Sequence, residues 1–165
     1  MKQKSSNPTE KTGLKGKLKW AAGLVVVTFL SFGGLLATQQ NSIAADIVVY
    51  KNPNCGCCNA WIKHLKENDY TVEVKNRDDV TPIKKELGVP NNLQSCHTAK
   101  VDGYVIEGHV PADLISKLRR EKPQIRGLAV PGMPMGSPGM EGPYKDDYNI
   151  ISFSDDGKTS VYAHR

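Results

Sequence analysis

The sequence predicts an α/β domain in which strands and helices alternate, extended by a β-hairpin near the C-terminus. Three observations lead to this class. A buried strand is followed at once by a cysteine-rich turn and a helix, and Asp102-Gly103 is a strong two-residue hairpin signal. In addition, a segment rich in Gly, Pro and Met at residues 131–143 interrupts the regular pattern before the last two strands, and it can form neither a helix nor a central strand.

Residues 1–45 differ in composition from the rest and predict an export signal. Six lysines precede an uncharged, largely apolar span at residues 20–37, and small residues follow it. This is the pattern of a secretory signal peptide cleaved after Ala44 or Ala45. An uncleaved membrane anchor through residues 20–37 is the alternative, because the span is long for a signal and short for a membrane helix. Because the lysines stay on the cytoplasmic side of the membrane, both a cleaved signal and an uncleaved anchor place residues 46–165 in the periplasm or another extracytoplasmic space.

The basic charge of the chain belongs to this leader. The net charge is +5, but six of the 22 Lys and Arg and one of the 17 Asp and Glu lie in residues 1–45. The remaining 16 basic and 16 acidic residues balance one another. We therefore expect no nucleic-acid partner, and membrane contact only through an uncleaved leader.

The first half of the domain predicts two strands and two helices. Ile47–Tyr50 is an apolar, β-branched run typical of a strand buried on both faces. Apolar residues at helical spacing predict a helix over Asn59–Asn68, and the alternation in Thr71–Lys75 predicts a half-exposed strand. Thr81-Pro82 then begins a short helix that Gly88 ends.

The second half predicts a strand pair, a helix and a terminal hairpin. Ala99–Val101 and Tyr104–Ile106 are strands joined by the tight turn, and a helix follows from Pro111. The order βαβαββα, with thiols at the first strand-to-helix junction, is that of a thioredoxin-like domain. Tyr148–Phe153 and Thr159–Ala163 predict the added hairpin.

The four cysteines of the chain define the candidate site. Cys55, Cys57 and Cys58 fall at the junction, where a helix N-terminus favours thiolates, and Cys96 precedes the third strand. Cys55 and Cys58 have the spacing of dithiol redox proteins, but Cys57 adds a thiol that disulfide exchange does not need. Two structural disulfides fit poorly, because adjacent Cys57 and Cys58 can hardly pair with each other without strain.

The sulfur content of the domain indicates copper. Thiolates and thioethers select Cu(I), and the loop at residues 131–143 adds Met133, Met135 and Met140, whose alternative role is flexible filling of the core edge. A structural zinc site usually pairs its cysteines in two knuckles, whereas here they divide three to one. Crowded thiolates can bridge several Cu(I) ions, so the sequence favours a multinuclear cuprous site.

The four histidines are weaker candidates than the cysteines. His97 adjoins Cys96 and is a ligand, a residue that orients a ligand, or a loop residue. His109 stands at the entry to the third helix, where capping and packing explain it as well as metal binding does. His64 lies about 10 Å along the first helix from Cys57 and is predicted to be a solvated surface residue. His164 is predicted to be inert.

Four motifs follow one another along residues 46–165: Tyr50–Cys58, Ser95–Thr98, Asp102–Pro111, and Val130–Pro134 with Gly136–Glu141. In these motifs and their order, the chain resembles the CopG-type copper-resistance proteins over nearly all of residues 46–165, although Met135 falls outside the family pattern. The resemblance implies a thioredoxin-like periplasmic protein of bacterial copper detoxification, with redox cycling of bound copper and other periplasmic copper-transfer proteins as partners. By position, the implied thiolate ligands are Cys55, Cys57, Cys58 and Cys96, with Met133 and Met140 as additional ligands.

The likeness to thioredoxins also bears on the choice between functions. In thioredoxin-like oxidoreductases, the loop that faces the dithiol carries a cis-proline, which keeps metal off the thiols. In this chain, Ser95–Ala99 enters the third strand and contains Cys96 but no proline. We therefore expect copper binding, and two alternatives stay open. One is a thiol-disulfide oxidoreductase that uses Cys55 and Cys58, and the other is a zinc-stapled interaction module.

Overall fold

The computed structural model describes residues 45–165 of the chain. The predicted leader lies outside these residues except for Ala45, so the signal peptide and the alternative membrane anchor remain predictions. Within residues 45–165, no helix is long and apolar enough to cross a lipid bilayer.

The described residues form an α/β fold around one mixed, seven-stranded sheet. Its strands are β1 (Ile47–Lys51), β2 (Val72–Asn76), β3 (His97–Val101), β4 (Tyr104–Gly108), β5 (Gly127–Val130), β6 (Asn149–Phe153) and β7 (Thr159–His164). The helices are α1 (Gly56–Glu67), α2 (Thr81–Glu86) and α3 (Ala112–Glu121), with a 3-10 turn at Asn91–Leu93. The strand order is β2-β1-β3-β4-β5-β6-β7, in which β1–β2 and β4–β5 are parallel pairs and the others antiparallel.

The predicted α/β class is confirmed, with two differences in detail. Helix α1 begins at Gly56 rather than Asn59, because Cys55 caps it. Strand β5 was not predicted, and it inserts between β4 and the C-terminal hairpin. The hairpin β6–β7 is therefore not a separate appendage, because β6 pairs with β5 and extends the same sheet.

The main core lies between the sheet and two of the helices. Helix α1 contributes Trp61, Ile62 and Leu65, and α3 contributes a stripe that includes Ile115 and Leu118. These side chains pack with alternate residues of the central strands, as the pleat of a sheet requires. A second, smaller cluster includes the segment that follows α2 together with Val105, Ala129 and Phe153.

The strand directions bring four chain segments to one edge of the sheet. Because β1, β4 and β5 run in one direction and β3 runs in the other, the ends of β1, β4 and β5 lie beside the start of β3. The turn to Cys55, the segment before His97, His109 and the loop from Pro131 all leave the sheet at this edge.

Candidate metal centre

The turn between β1 and α1 places the first three cysteines on a helix N-terminus. Asn52 shapes this turn, since its carboxamide oxygen accepts from Asn54 N at 2.9 Å and its carbonyl accepts from Cys55 N at 3.1 Å. Cys55 is the N-cap residue, and its Sγ accepts from Cys58 N at 3.3 Å. A sulfur therefore takes the place of the usual capping oxygen.

The four cysteines lie together, with their sulfurs all within 4.8 Å of one another. Cys55 and Cys58 form a disulfide, and Cys58 is fully buried. Cys57 Sγ lies 3.5 Å from Cys55 Sγ and 3.8 Å from Cys96 Sγ. Cys57 and Cys96 are half-buried free thiols. The Cys57 sulfur thus lies between the disulfide and Cys96, which is 39 residues away in sequence.

Two imidazoles extend this cluster beyond Cys96. Cys96 Sγ lies 3.4 Å from His97 Nδ1 and 3.2 Å from His109 Nε2. His109 Nδ1 lies 2.7 Å from the carbonyl oxygen of Pro138, which can only accept a hydrogen bond. The proton of neutral His109 is therefore on Nδ1, and the lone pair of Nε2 faces the thiol of Cys96. This is the tautomer that a metal ligand requires.

His97 is enclosed by the core and retains one unused nitrogen. Its ring centroid lies 4.3 Å from that of Trp61 and 5.1 Å from that of His109. Its Nε2 has no hydrogen-bond partner among the described residues, although the side chain is fully buried. A buried polar atom without a partner is destabilising, and a bound water molecule or a metal ion would satisfy it.

The electrostatic environment keeps both imidazoles neutral. Burial, the neighbouring His109 and the Lys84 ammonium hold the pKa of His97 well below its ordinary value. Burial also lowers the pKa of His109. Burial and the neighbouring Cys57 raise the pKa of the Cys96 thiol to about 12, so in the metal-free protein Cys96 is a thiol at neutral pH. A metal ion that bound to Cys96 Sγ would therefore displace a proton.

The Gly/Pro/Met loop at residues 131–143 packs onto the start of α1. A methyl group on Gly139 would lie 2.8 Å from the carbonyl oxygen of Cys57 and 2.7 Å from Trp61 N, so the two backbones are in close contact. Met140 follows directly and is half-buried, whereas Met133 is 39% exposed. The fold therefore carries Met140 next to a docking point on the cysteine-bearing turn, and it leaves Met133 at the surface.

His109 is the site residue that the sequence analysis undervalued. The hairpin pairs residues at equal distances from its turn, and Thr98 faces Glu107. Extending this register places Cys96, six residues before Asp102, opposite His109, six residues after Gly103. The turn motif thus contained the signal. The prediction for His64 was wrong, because this residue is half-buried and its Nε2 accepts from Ala112 N at 3.1 Å.

Comparisons with known proteins show what the chain is similar to. A family model described as a protein of unknown function, DUF411, matches residues 93–140. No curated protein matches the chain. A solved structure of "Copper resistance protein copG" in form 2 is 48% identical, covers 72% of this chain and 96% of its own, and superimposes with a TM-score of 0.69. Form 1 is also 48% identical, covers 72% and 95%, and has a TM-score of 0.68.

The fold and the site define an α/β protein with a cysteine and histidine cluster at one edge of its sheet. The cluster is of the kind that binds a soft metal ion. The identity and coverage of the solved structures assign the chain more narrowly: it belongs to the CopG-type copper-resistance family.

Proposed function

We propose that this chain binds Cu(I) as its cargo in copper resistance and holds more than one ion in a thiolate-bridged cluster. The observation that carries the proposal is the position of Cys57 Sγ, within 4 Å of the sulfurs of both Cys55 and Cys96. A thiolate so placed can bridge two soft cations. Two-electron reduction of the Cys55–Cys58 bond by an external dithiol, which itself becomes a disulfide, would supply the thiols of these two residues, and each loses its proton when it binds copper.

The neighbouring nitrogens and thioethers extend this proposal. Cys96 belongs to the cysteine cluster and also lies next to His97 and His109. Imidazole nitrogens bind Cu(II) as well as Cu(I). We therefore infer that the site supports interconversion of Cu(I) and Cu(II), in which each ion passes one electron to, or takes one from, an external redox partner. Met133 and Met140 are proposed as thioether ligands on the docked loop.

We also propose a thioredoxin-like fold for the domain and a periplasmic location for the protein. The element order β1-α1-β2-α2-β3-β4-α3 supports the thioredoxin-like assignment of the domain. The composition of residues 1–45 supports export to the periplasm, where copper ions and periplasmic copper-transfer proteins are the expected partners.

An anaerobic Cu(I) titration of the reduced segment Asp46–Arg165 against a chromophoric cuprous chelator tests the cluster. We expect uptake of more than one tightly held Cu(I) per chain, and a lower number in Cys57→Ser. Failure to compete with the chelator would contradict the proposal. Binding of a single zinc ion, with loss of the fold on chelation, would favour a zinc-stapled module instead.

The observed disulfide favours a second candidate, thiol-disulfide exchange. In that reaction the Cys55–Cys58 bond accepts two electrons and two protons from a substrate dithiol, which becomes a disulfide. Cys57 and Cys96 have no required part in it. Undiminished disulfide exchange with a dithiol peptide in both Cys57→Ser and Cys96→Ser, together with weak copper binding, would support this candidate over the first.

A further inference from the structure

A buried ion pair lies beside the metal centre without contributing a ligand to it. Lys84 of α2 and Glu107 of β4 are joined at 2.6 Å between Nζ and Oε1, and their side chains are 4% and 0% exposed. Two charges are expensive to remove from water, and an apolar pair of similar size is often at least as stable. Stability alone therefore does not explain why these two residues are charged.

The carboxylate of Glu107 has partners beyond Lys84. Oε2 accepts from Thr98 Oγ1 at 2.5 Å, and Thr98 Oγ1 also accepts from Lys84 Nζ at 2.8 Å. Oε1 accepts from Ser95 N at 2.5 Å. This last bond leads out of the ion-pair network, because Ser95 immediately precedes Cys96.

Three consecutive residues at the end of β4 hold the Ser95-Cys96 segment. Glu107 accepts from Ser95 N. Gly108 lies against the same residue, since a methyl group there would be 2.7 Å from Ser95 Oγ. His109 Nε2 lies 3.2 Å from Cys96 Sγ. The segment is otherwise weakly held, because Ser95 N has no other hydrogen-bond partner among the described residues and Cys96 lies before the first residue of β3.

We propose that Glu107 is a positioning residue for the fourth thiol. Lys84 and Thr98 fix its carboxylate, the carboxylate fixes the Ser95 amide, and the amide fixes Cys96 where its sulfur faces that of Cys57. The inference rests on the proposed function only in treating Cys96 as a copper ligand, since the anchoring itself exists in the metal-free protein.

Two double variants of the full-length chain separate the hydrogen-bond acceptor from the buried charge. Lys84→Met/Glu107→Gln removes both charges but keeps an amide oxygen for Ser95 N and an amide N–H for Thr98 Oγ1. Lys84→Met/Glu107→Leu removes both charges and the acceptor. Neither variant leaves an unpaired buried charge, so we expect both to fold, as checked by circular dichroism.

The first measurement is hydrogen exchange of the Ser95 amide in the metal-free, reduced protein. We expect slow exchange in the wild type and in the Gln variant, and exchange faster by about tenfold or more in the Leu variant. A wild-type Ser95 amide that exchanges as fast as an unbonded loop amide would overturn the proposal, and this result does not depend on whether any variant folds.

The second measurement is Cu(I) affinity by chelator competition. We expect the Leu variant to bind about 10- to 100-fold more weakly than the wild type, and the Gln variant to stay near the wild type. Equal affinities in the two variants, whether both retained or both lost, would overturn the positioning role. If the wild type itself binds no Cu(I), the proposed function fails, while the exchange data still decide whether Glu107 anchors the segment.

Discussion

Replacement of Gly139 by alanine tests whether docking of the Gly/Pro/Met loop supports the metal centre. Gly139 has a φ of +85°, and a methyl group on it would lie within 2.8 Å of two backbone atoms of α1, Trp61 N and the Cys57 carbonyl oxygen. Gly132 in the same loop offers a matched control. Its φ is +77°, but a methyl group there meets nothing within 4 Å.

The difference between the two variants isolates the close contact. Both alanines adopt a left-handed backbone, which costs about 1–2 kcal/mol. Only Gly139→Ala also forces a methyl group into packed backbone, which adds about 1–3 kcal/mol. We therefore expect Gly139→Ala to lower the free energy of unfolding by about 2–5 kcal/mol, or to detach the loop at the same cost. For Gly132→Ala, we expect a loss of about 1–2 kcal/mol.

Urea denaturation of the reduced, metal-free protein and Cu(I) competition together measure the effect. Detachment of the loop removes the Pro138 carbonyl that fixes the tautomer of His109, so we expect Gly139→Ala to bind Cu(I) about tenfold more weakly than Gly132→Ala. Equal stability and equal affinity of the two variants would refute the docking of the loop against α1.

Three further predictions concern the fold around the site. Lys84→Met alone should lower the free energy of unfolding by about 3–5 kcal/mol, because it leaves the carboxylate of Glu107 buried without its cation, and adding Glu107→Leu should restore most of the loss in urea denaturation. Gly127→Ala should prevent pairing of β4 with β5, because its methyl group would overlap the Val105 carbonyl oxygen, and circular dichroism should then show loss of strand content. The folded-state pKa values of His64, His97 and His109 are lowered, so below about pH 6.5 the unfolded chain binds protons that the folded chain does not. The metal-free protein should therefore lose up to about 1.4 kcal/mol of stability per pH unit for each of these histidines. Thermal unfolding across about pH 5–7 checks this prediction.

Elements with strong local signals were predictable from the sequence. The apolar run Ile47–Tyr50, the Thr81-Pro82 helix start and the Asp102-Gly103 turn are each fixed by neighbouring residues, and the structure has a strand, a helix and a hairpin at these places. Strand β5 has no such signal. It contains only Gly127, Leu128, Ala129 and Val130, and it is a strand because β4 and β6 pair with it from both sides.

Some residues of the site were predictable from local sequence, and others depend on contacts between distant parts of the chain. That Cys55, Cys57 and Cys58 lie at a helix N-terminus followed from their position between a strand and a helix, and the structure places them there. The approach of Cys96 followed from fold analogy. The contact of His109 with both Cys96 and Pro138 depends on a hairpin register and on a loop 29 residues away in sequence, so single-residue patterns did not reveal it.

The Gly/Pro/Met loop is tied to the sheet at both of its ends. The loop lies within the connection between β5, which ends at Val130, and β6, which begins at Asn149, and these two strands are antiparallel neighbours. Paired strands at both ends hold the connection, so its length and donor content can change without shifting the register of the sheet. The cysteines, in contrast, lie at the start of α1 and directly before β3, so they belong to or adjoin the regular elements of the fold. Under the proposed ligation by Met133 and Met140, an exchange of this connection that keeps the contacts of Pro138 and Gly139 would change the thioether donors and leave the thiols in place.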